Sequence, residues 1–374
     1  MKLNEICEVY SGYAIKEFNN IKKGLPVIKI GNILTDGTLN LGECQFSTED
    51  INEKYHSKKG DIYVALSGAT TGKLGIMEDE KKYIINQRVG IIRLKQKSVS
   101  QSYIKFFLLK QTERIIDEAT GCAQPNISPK QIGEYDVPVF PEKEMLQISD
   151  ILNNIVCVIK HYKAMIKKYD DLIKARFIEM FGRPFINNLN WESKQIKNVV
   201  NEVKYGTSKP SVENGEYKYL RMNNLTYDGR FDLTDLKFIS LDNDELEKCV
   251  VRKGDVLFNR TNSLDLIGKT ADFDFDEDMV IAGYIIRIRL KETIVPKFFS
   301  MYMNTDEMKL HLRTIAKGAV NQANINAQEL QKIPIYLPPI ELQNQFVNFV
   351  RQVDKSRFDI KKSITELERE VVYD

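Results

Sequence analysis

No stretch of this 374-residue chain is an uninterrupted apolar run of the roughly 20 residues that a bilayer-spanning helix needs. The amino terminus, Met1-Lys2-Leu3-Asn4-Glu5, lacks the apolar core of a secretory signal. Both absences predict a cytoplasmic protein with no membrane contact. Closely spaced cysteines are missing too. Cys7, Cys44, Cys122, Cys157 and Cys249 are an odd, scattered set with no histidine at ligand spacing. That argues for reduced structural thiols and against disulfides or zinc. Charge of one sign is also lacking: 54 Lys and Arg face 52 Asp and Glu, a net charge of +2, with an isoelectric point near 8.0. Proteins that grip nucleic acid unaided are often more basic, so any such surface here is local or shared with a partner. The apolar share of 43% and mean hydropathy of −0.34 suit a globular chain with room for two cores.

Catalytic signatures are absent as well. Gly68-Ala69-Thr70-Thr71-Gly72-Lys73 is one residue short of a phosphate loop, and Leu74 stands where the magnesium-binding hydroxyl belongs. In the related stretch Gly268-Lys269-Thr270, Ser263 replaces the first glycine. Each reads instead as a turn after a strand with a lysine projecting from it. The chain has no Asn-Pro-Pro-Tyr tetrapeptide of amino-methylating enzymes, no glycine-rich methyl-donor loop and no His-x-Glu metal motif. His56, His161 and His311 are far apart. No catalysis and no metal are expected of the chain itself.

What is present is a duplication. Gly60-Asp61-Ile62-Tyr63-Val64 through Gly72-Lys73 returns as Gly254-Asp255-Val256-Leu257-Phe258 through Gly268-Lys269. Ile28 to Ile33 with Asp36-Gly37 matches Leu220 to Leu225 with Asp228-Gly229, and Ala119-Thr120-Gly121 with Asn126-Ile127 matches Ala316-Lys317-Gly318 with Asn324-Ile325. Val137-Pro138-Val139-Phe140-Pro141 then returns as Ile333-Pro334-Ile335-Tyr336-Leu337-Pro338, the offset drifting only from about 192 to about 198. So long a period makes the repeated unit a whole domain plus a helix.

The helices are marked by heptads. Met145, Ile148, Leu152, Ile155, Ile159, Tyr162, Ile166, Tyr169, Ile173, Phe177 and Met180 step by threes and fours, the seam of a coiled coil, ending at Gly182 with Pro184 beyond. After Pro338-Pro339, a comparable stripe runs through Leu342, Phe346, Phe349, Val353, Ile360, Ile364, Leu367 and Val371. Its slot near Ser356 and Arg357 is polar. Two such stripes in one chain call for each other. Ahead of each helix, β-type runs at 62–66, 89–94, 256–258 and 284–290 accompany helical segments at 102–118 and 296–315. The fold class is therefore α+β, with two similar domains separated by long helices that pair as an antiparallel coiled coil, an internal pseudo-twofold repeat. The segments are 1–140, 141–182, 183–337 and 338–374: domain, central helix, domain, C-terminal helix.

The repeats carry hydrogen-bonding side chains in loops. Ser67, Thr70, Thr71, Lys73, Gln87, Arg88, Gln124 and Asn126 in the first copy, and Arg260, Thr261, Asn262, Lys269, Asn321, Gln322 and Asn324 in the second, are the types that read base edges or hold phosphates. Arginine pairs twice with guanine, and asparagine or glutamine twice with adenine.

The order domain, heptad helix, domain, heptad helix resembles the specificity subunit of type I restriction-modification systems. So do Gly60 to Lys73, Phe177-Ile178-Glu179-Met180-Phe181-Gly182, Trp191-Glu192 before Gln195-Ile196, and Pro338-Pro339-Ile340-Glu341-Leu342-Gln343. Phe140-Pro141-Glu142-Lys143 departs from the Leu337-Pro338-Pro339-Ile340 form of the second copy. The resemblance implies that 1–140 and 183–337 are target recognition domains, each reading one half of a split site in double-stranded DNA. It implies that the helices set the spacer and dock two DNA adenine methyltransferase subunits, and that restriction subunits with translocase activity can join. S-adenosylmethionine, ATP and magnesium then belong to those partners, and the specificity subunit binds no cofactor. The rival readings are a coiled-coil protein scaffold without DNA specificity, and an enzyme such as a nuclease or fused methyltransferase.

Overall fold

Apolar β-branched runs in this chain are continuous rather than alternating, and the fold shows why. In the strand Ile62–Ala65 all four residues are buried; Ile62 and Val64 enter one core cluster, while Tyr63 and Ala65 enter another on the opposite face. The same division separates Val256 and Phe258 from Leu257. Successive strand side chains point to opposite faces, so a sheet covered on both sides needs an unbroken apolar run.

The structure, a computed structural model, describes residues 1–95, 99–119, 125–319 and 322–372. It divides into one unit of Met1–Ala164 with Ile360–Asp374, and a second of Met165–Asp359. In the first, β1 (Cys7–Ser11), β2 (Ile62–Ala65), β3 (Leu74–Ile76) and β4 (Val89–Leu94) form an antiparallel sheet in the order β1-β4-β2-β3. In the second, β5 (Val200–Tyr205), β6 (Val256–Asn259), β7 (Thr270–Asp272) and β8 (Ile285–Leu290) adopt the order β5-β8-β6-β7, again antiparallel. A smaller sheet repeats as well. Leu25–Ile28 lies between Gln45–Ser47 and Ile84–Ile85, and Tyr217–Leu220 lies between Lys237–Ile239 and Met279–Ile281; in each case the first pairing is antiparallel and the second parallel. Val250–Val251 adds a fourth strand in the second unit, where the first has only the bridge His56↔Ile84.

The Gly-Asp pair that heads each copy has a structural role. Gly60 and Gly254 adopt φ of +96° and +93°, which glycine tolerates at no steric cost. Asp61 then accepts the Lys58 N–H at 2.8 Å and both Nε and an Nη of Arg93 at 2.7 Å. Asp255 likewise accepts the Arg252 N–H at 2.9 Å and Arg289 Nε at 3.1 Å. Each pair ties a turn to the central strand of its sheet.

The helical segments anticipated at 102–118 and 296–315 are each two helices, Gln101–Lys110 with Thr112–Ala119, and Pro296–Met303 with Asp306–Ile315. In the second copy the Thr305 hydroxyl caps the new helix, and Asn304 Nδ2 reaches the Thr270 carbonyl at 2.6 Å. Such side-chain bonds compete with helix continuation.

Two long helices complete the chain, α1 (Glu142–Phe181) and α2 (Ile340–Val372), about 60 and 50 Å at 1.5 Å per residue. Gly182, at φ +75°, ends α1 by donating to the Ile178 carbonyl at 2.9 Å. The apolar stripes on both helices are buried or half-buried throughout. Inside the second unit, the Phe177 and Phe346 rings meet edge-on at 5.3 Å, and Arg357 pairs with Asp170 at 2.7 Å. Arg230, from the Asp228-Gly229 turn, reaches the same carboxylate at 2.6 Å. The polar slot noted near Arg357 thus holds a buried guanidinium with its counter-charge. Inside the first unit, Lys163 pairs with Glu368 at 2.8 Å.

Cys7, Cys44, Cys157 and Cys249 are free thiols, and Cys122 lies outside the described residues. Among the described residues no helix is long and apolar enough to cross a membrane.

Candidate nucleic-acid interface

Three segments converge at one end of each main sheet. In the first copy Leu66 donates its N–H to the Arg88 carbonyl at 2.9 Å, Ile127 donates to Leu66 at 2.9 Å, and Gly68 donates to Pro125 at 3.1 Å. Ser67 and Asn126 therefore face each other as a bridge, with Arg88 on the neighbouring segment. Gln87 precedes Arg88 in the chain, and its N–H donates to the Tyr13 carbonyl at 2.8 Å. Gln87, Arg88 and Asn126 are exposed, and Ser67 is half-buried. Gln124 lies outside the described residues.

Thr70, Thr71 and Lys73 occupy the turn between β2 and β3. Its backbone is closed on itself: Thr71 N–H donates to Gly68 at 3.1 Å, Gly72 to Ala65 at 2.9 Å, and Lys73 to Thr70 at 3.1 Å. Gly68 and Gly72 supply φ of +83° and +85°. A phosphate loop works by aiming free N–H groups at its anion. The N–H groups of Thr71, Gly72 and Lys73 are already used within the turn, so these three do not cradle a phosphate. The Thr71 hydroxyl bonds Gly68 at 2.7 Å, while Thr70 Oγ1 is buried without a partner.

The second copy rebuilds this frame with other side chains. Arg260 N–H donates to Tyr284 at 2.9 Å and Ile325 N–H to Arg260 at 2.9 Å, the bonds made at Leu66 in the first copy. Thr261 opposes Asn324 in a three-stranded sheet with Lys317–Ala319, and Asn324 Nδ2 donates to Thr261 Oγ1 at 2.7 Å. Asn262 Nδ2 donates to Asn259 Oδ1 at 2.9 Å. The fully buried Asn259 in turn holds the Thr261 and Tyr284 carbonyls, both at 3.1 Å. Gln322 is exposed on the adjoining strand. Asn321 lies outside the described residues. Lys269 sits apart, its Nζ 3.4 Å from the Met222 carbonyl, with burial lowering its pKa. The second copy thus gathers Arg260, Thr261, Asn262 and Asn324, as the first gathers Ser67, Gln87, Arg88 and Asn126.

Several side chains of this surface were not singled out from sequence. The Tyr205 and Tyr284 residues are 43% and 53% exposed; Tyr205 lies under the Arg260 guanidinium at 4.8 Å. Tyr284 occupies the position of Arg88 in the first copy, a correspondence the offset of 196 makes visible. Lys309 is only 4% exposed, donates to Gly268 at 2.8 Å and lies 4.6 Å from the Tyr227 ring. Burial, with repulsion from Lys269 and Arg313, brings its pKa down to about 7. Among the described residues no group of three or more His, Cys, Asp or Glu is placed to hold a metal.

Two copies of one α+β frame, each gathering amide, hydroxyl and guanidinium groups at the same sheet end, define a duplicated recognition protein. The chain belongs to the type I restriction modification DNA specificity domain family, whose profile matches residues 1–168 and again 188–369. It is similar to the EcoBI type I restriction enzyme specificity subunit of Escherichia coli, with 22% identity covering 97% of this chain and 81% of the relative. Against the EcoKI specificity subunit of Escherichia coli K12 the identity is 21%, covering 91% and 77%. Two solved structures share the fold. One, from work on complex assembly and conformational transition of the type I R-M system, has a TM-score of 0.62 at 15% identity, covering 99% of this chain and 94% of that one. The other, the type I restriction-modification S subunit from M. genitalium, has a TM-score of 0.51 at 15% identity, covering 99% and 93%.

Proposed function

We propose that the chain is the sequence-specific DNA-recognition subunit of a type I restriction-modification complex. Residues 1–140 and 183–337 act as target recognition domains, each reading one half of a bipartite site in double-stranded DNA. The observation that carries this is the pair of family-matching halves with one backbone frame and different side chains at its polar end. A common frame places each reader alike, and divergent readers give two different half-sites. The DNA-facing residues are those grouped above, together with Thr70, Thr71, Lys73, Lys269 and Gln322, and with Gln124 and Asn321, which lie outside the described residues.

The two long helices, 141–182 and 338–374, pair as an antiparallel coiled coil that sets the spacer and docks two adenine methyltransferase subunits. Within the second unit, moving from Phe177 back to Asp170 on α1 moves the contact forward from Phe346 to Arg357 on α2, as antiparallel segments require. The ion pairs also agree with a pseudo-twofold repeat: Lys163 and Glu368 of one unit stand 194 and 198 positions from Arg357 and Asp170 of the other. Two-fold relation makes such contacts reciprocal. The subunit is non-catalytic and cytoplasmic. S-adenosylmethionine, ATP and magnesium act on the methyltransferase and on any restriction subunits that join.

Long-read methylation mapping of cells with and without the chain tests this. A split motif with methyladenine in both halves appears only when the chain is present; methylation without sequence preference would favour a protein scaffold instead.

A further inference from the structure

Resting on the reading of 183–337 as a recognition domain, we infer that Arg260 selects a guanine in the half-site read by the second copy. Its guanidinium donates to the N7 and O6 acceptors on the major-groove edge of that base.

The backbone of Arg260 is fixed on both sides by the Tyr284 and Ile325 bonds, and Asn259 beneath it is fully buried and hydrogen-bonded. The guanidinium lies over the Tyr205 ring, 4.8 Å from its centroid, a cation–π contact that restrains it before any ligand arrives. Its hydrogen-bonding capacity is nonetheless almost unused. Nη1 is 3.4 Å from the Gly283 carbonyl, Nη2 is 3.3 Å from Asn324 Oδ1, and Nε is buried without a partner. A guanidinium carries five N–H donors, and bonds beyond about 3.2 Å are weak. Among the described residues no carboxylate pairs with it. The other arginines of these sheets are neutralised: Arg287 and Arg289 by Glu202 at 2.6 and 3.2 Å, and Arg221 by Asp235 at 2.8 Å.

Arg260 borders a groove of about 490 Å³ that also holds Lys209, Arg221, Asn223 and Tyr284. Lys209 is paired with Asp242 and Glu245 at 3.2 and 2.5 Å. The groove therefore offers one oriented, unneutralised fork among amides and a tyrosine, rather than the several free cations that hold a phosphate backbone. A planar fork matches guanine, whose N7 and O6 are adjacent acceptors, better than adenine, which places a donor beside N7. In the first copy the equivalent residue is Leu66, 4% exposed, so this contact belongs to one half-site alone.

The test uses the chain assembled with its methyltransferase subunits and duplexes carrying the mapped motif, with 7-deazaguanine replacing each guanine of that half-site in turn. The analogue keeps O6 and base pairing but puts carbon at position 7. The expected result is a loss of methylation rate of about tenfold at one guanine in the wild-type complex, with no further loss there in R260Q. R260K keeps the charge without the fork, and its ammonium can still reach the guanine acceptors; it should weaken discrimination of guanine from adenine at that position while reading the first half-site unchanged. Equal tolerance of the analogue at every guanine, a half-site with no guanine in either strand, or a preference that survives in R260K and R260Q overturns the assignment. The wild-type analogue scan decides this even if both variants fail to fold. Absence of any split motif with the wild-type complex would instead overturn the recognition reading, and the guanine assignment with it.

Discussion

The two copies agree where the backbone turns and disagree where it faces outward. Ala65 N–H donates to Lys73 in one, as Asn259 N–H donates to Lys269 in the other, at 2.9 and 2.8 Å; Ser67 faces Asn126 as Thr261 faces Asn324. Yet the exposed Arg88 answers to the exposed Tyr284, and where the first copy has the core residue Leu66 the second has Arg260. The frame depends on a few position-specific requirements, namely glycines at positive φ, the Asp-Arg tie and strands buried on both faces. The outward side chains carry none of those obligations. Stability and specificity are thereby held by different residues of the same turns, and specificity can change without refolding the domain.

The largest expected effect comes from changing what links the copies rather than either copy. Four residues inserted in the middle of 150–175 add about 6 Å of helix, and if the helices act as a ruler the preferred spacer grows by roughly one to two base pairs at about 3.4 Å per step. Methylation mapping reads this directly. An unchanged spacer would separate recognition from helix length.

The Asp-Arg tie distinguishes the copies energetically. Arg93 is 12% exposed at its side chain, and Asp61 is its sole carboxylate among the described ion pairs. Arg289 is 29% exposed and keeps Glu202 when Asp255 is removed. Asp61→Ala should therefore cost about 3–5 kcal/mol, the range for stranding a buried charge, and Asp255→Ala about 1.5–3 kcal/mol. Hydrogen exchange followed separately in each unit measures both. Equal losses would mean that the second carboxylate gives Arg289 no effective support.

Periodicity made much of this architecture readable in advance. The strands at 62–65, 89–94, 256–259 and 285–290 and both long helices follow from local patterns, because burial against one face or two leaves a regular mark on the chain. Partners distant in sequence leave none. Arg357 could be marked as polar in an apolar stripe, but Asp170, 187 positions away, could not be named as its counter-charge. Tyr205 under Arg260 is hidden in the same way, since nothing near position 260 points to it. The breaks at Gln111 and Asn304-Thr305 leave no mark in the apolar spacing, which continues across them; at the second, capping by the Thr305 hydroxyl starts a new helix.

Readers on the two copies should be separable by mutation. Arg88 is exposed and makes no side-chain ion pair among the described residues. Arg88→Ala should reduce methylation of the cognate site by about tenfold, relaxing the first half-site and leaving the second intact. Methylation mapping with the variant checks this; equal degradation of both halves would break the division of labour.

The smallest effect concerns Lys309, which the offset relating Ala119 to Ala316 sets opposite the half-buried Thr112 of the first copy. Lys309 is almost fully buried, and among the described residues its ammonium donates to the Gly268 carbonyl, which also accepts from Thr270 Oγ1 at 3.0 Å. Its pKa falls from 10.5 to about 7, so between those values the unfolded chain binds more protons than the folded one and stability rises with pH. The penalty of burying the ammonium is complete below about pH 7 and is relieved as pH rises toward 10.5. Lys309→Met removes that charge while the Thr270 hydroxyl still satisfies the carbonyl. The variant should be more stable by about 1–2 kcal/mol at pH 7, and melting curves between pH 6 and pH 10 should show its advantage shrinking as pH increases. A variant less stable than wild type at pH 7 would show that the ammonium's bond and its stacking on Tyr227 outweigh desolvation. The second copy would then hold its turn by a charge that the first copy does without.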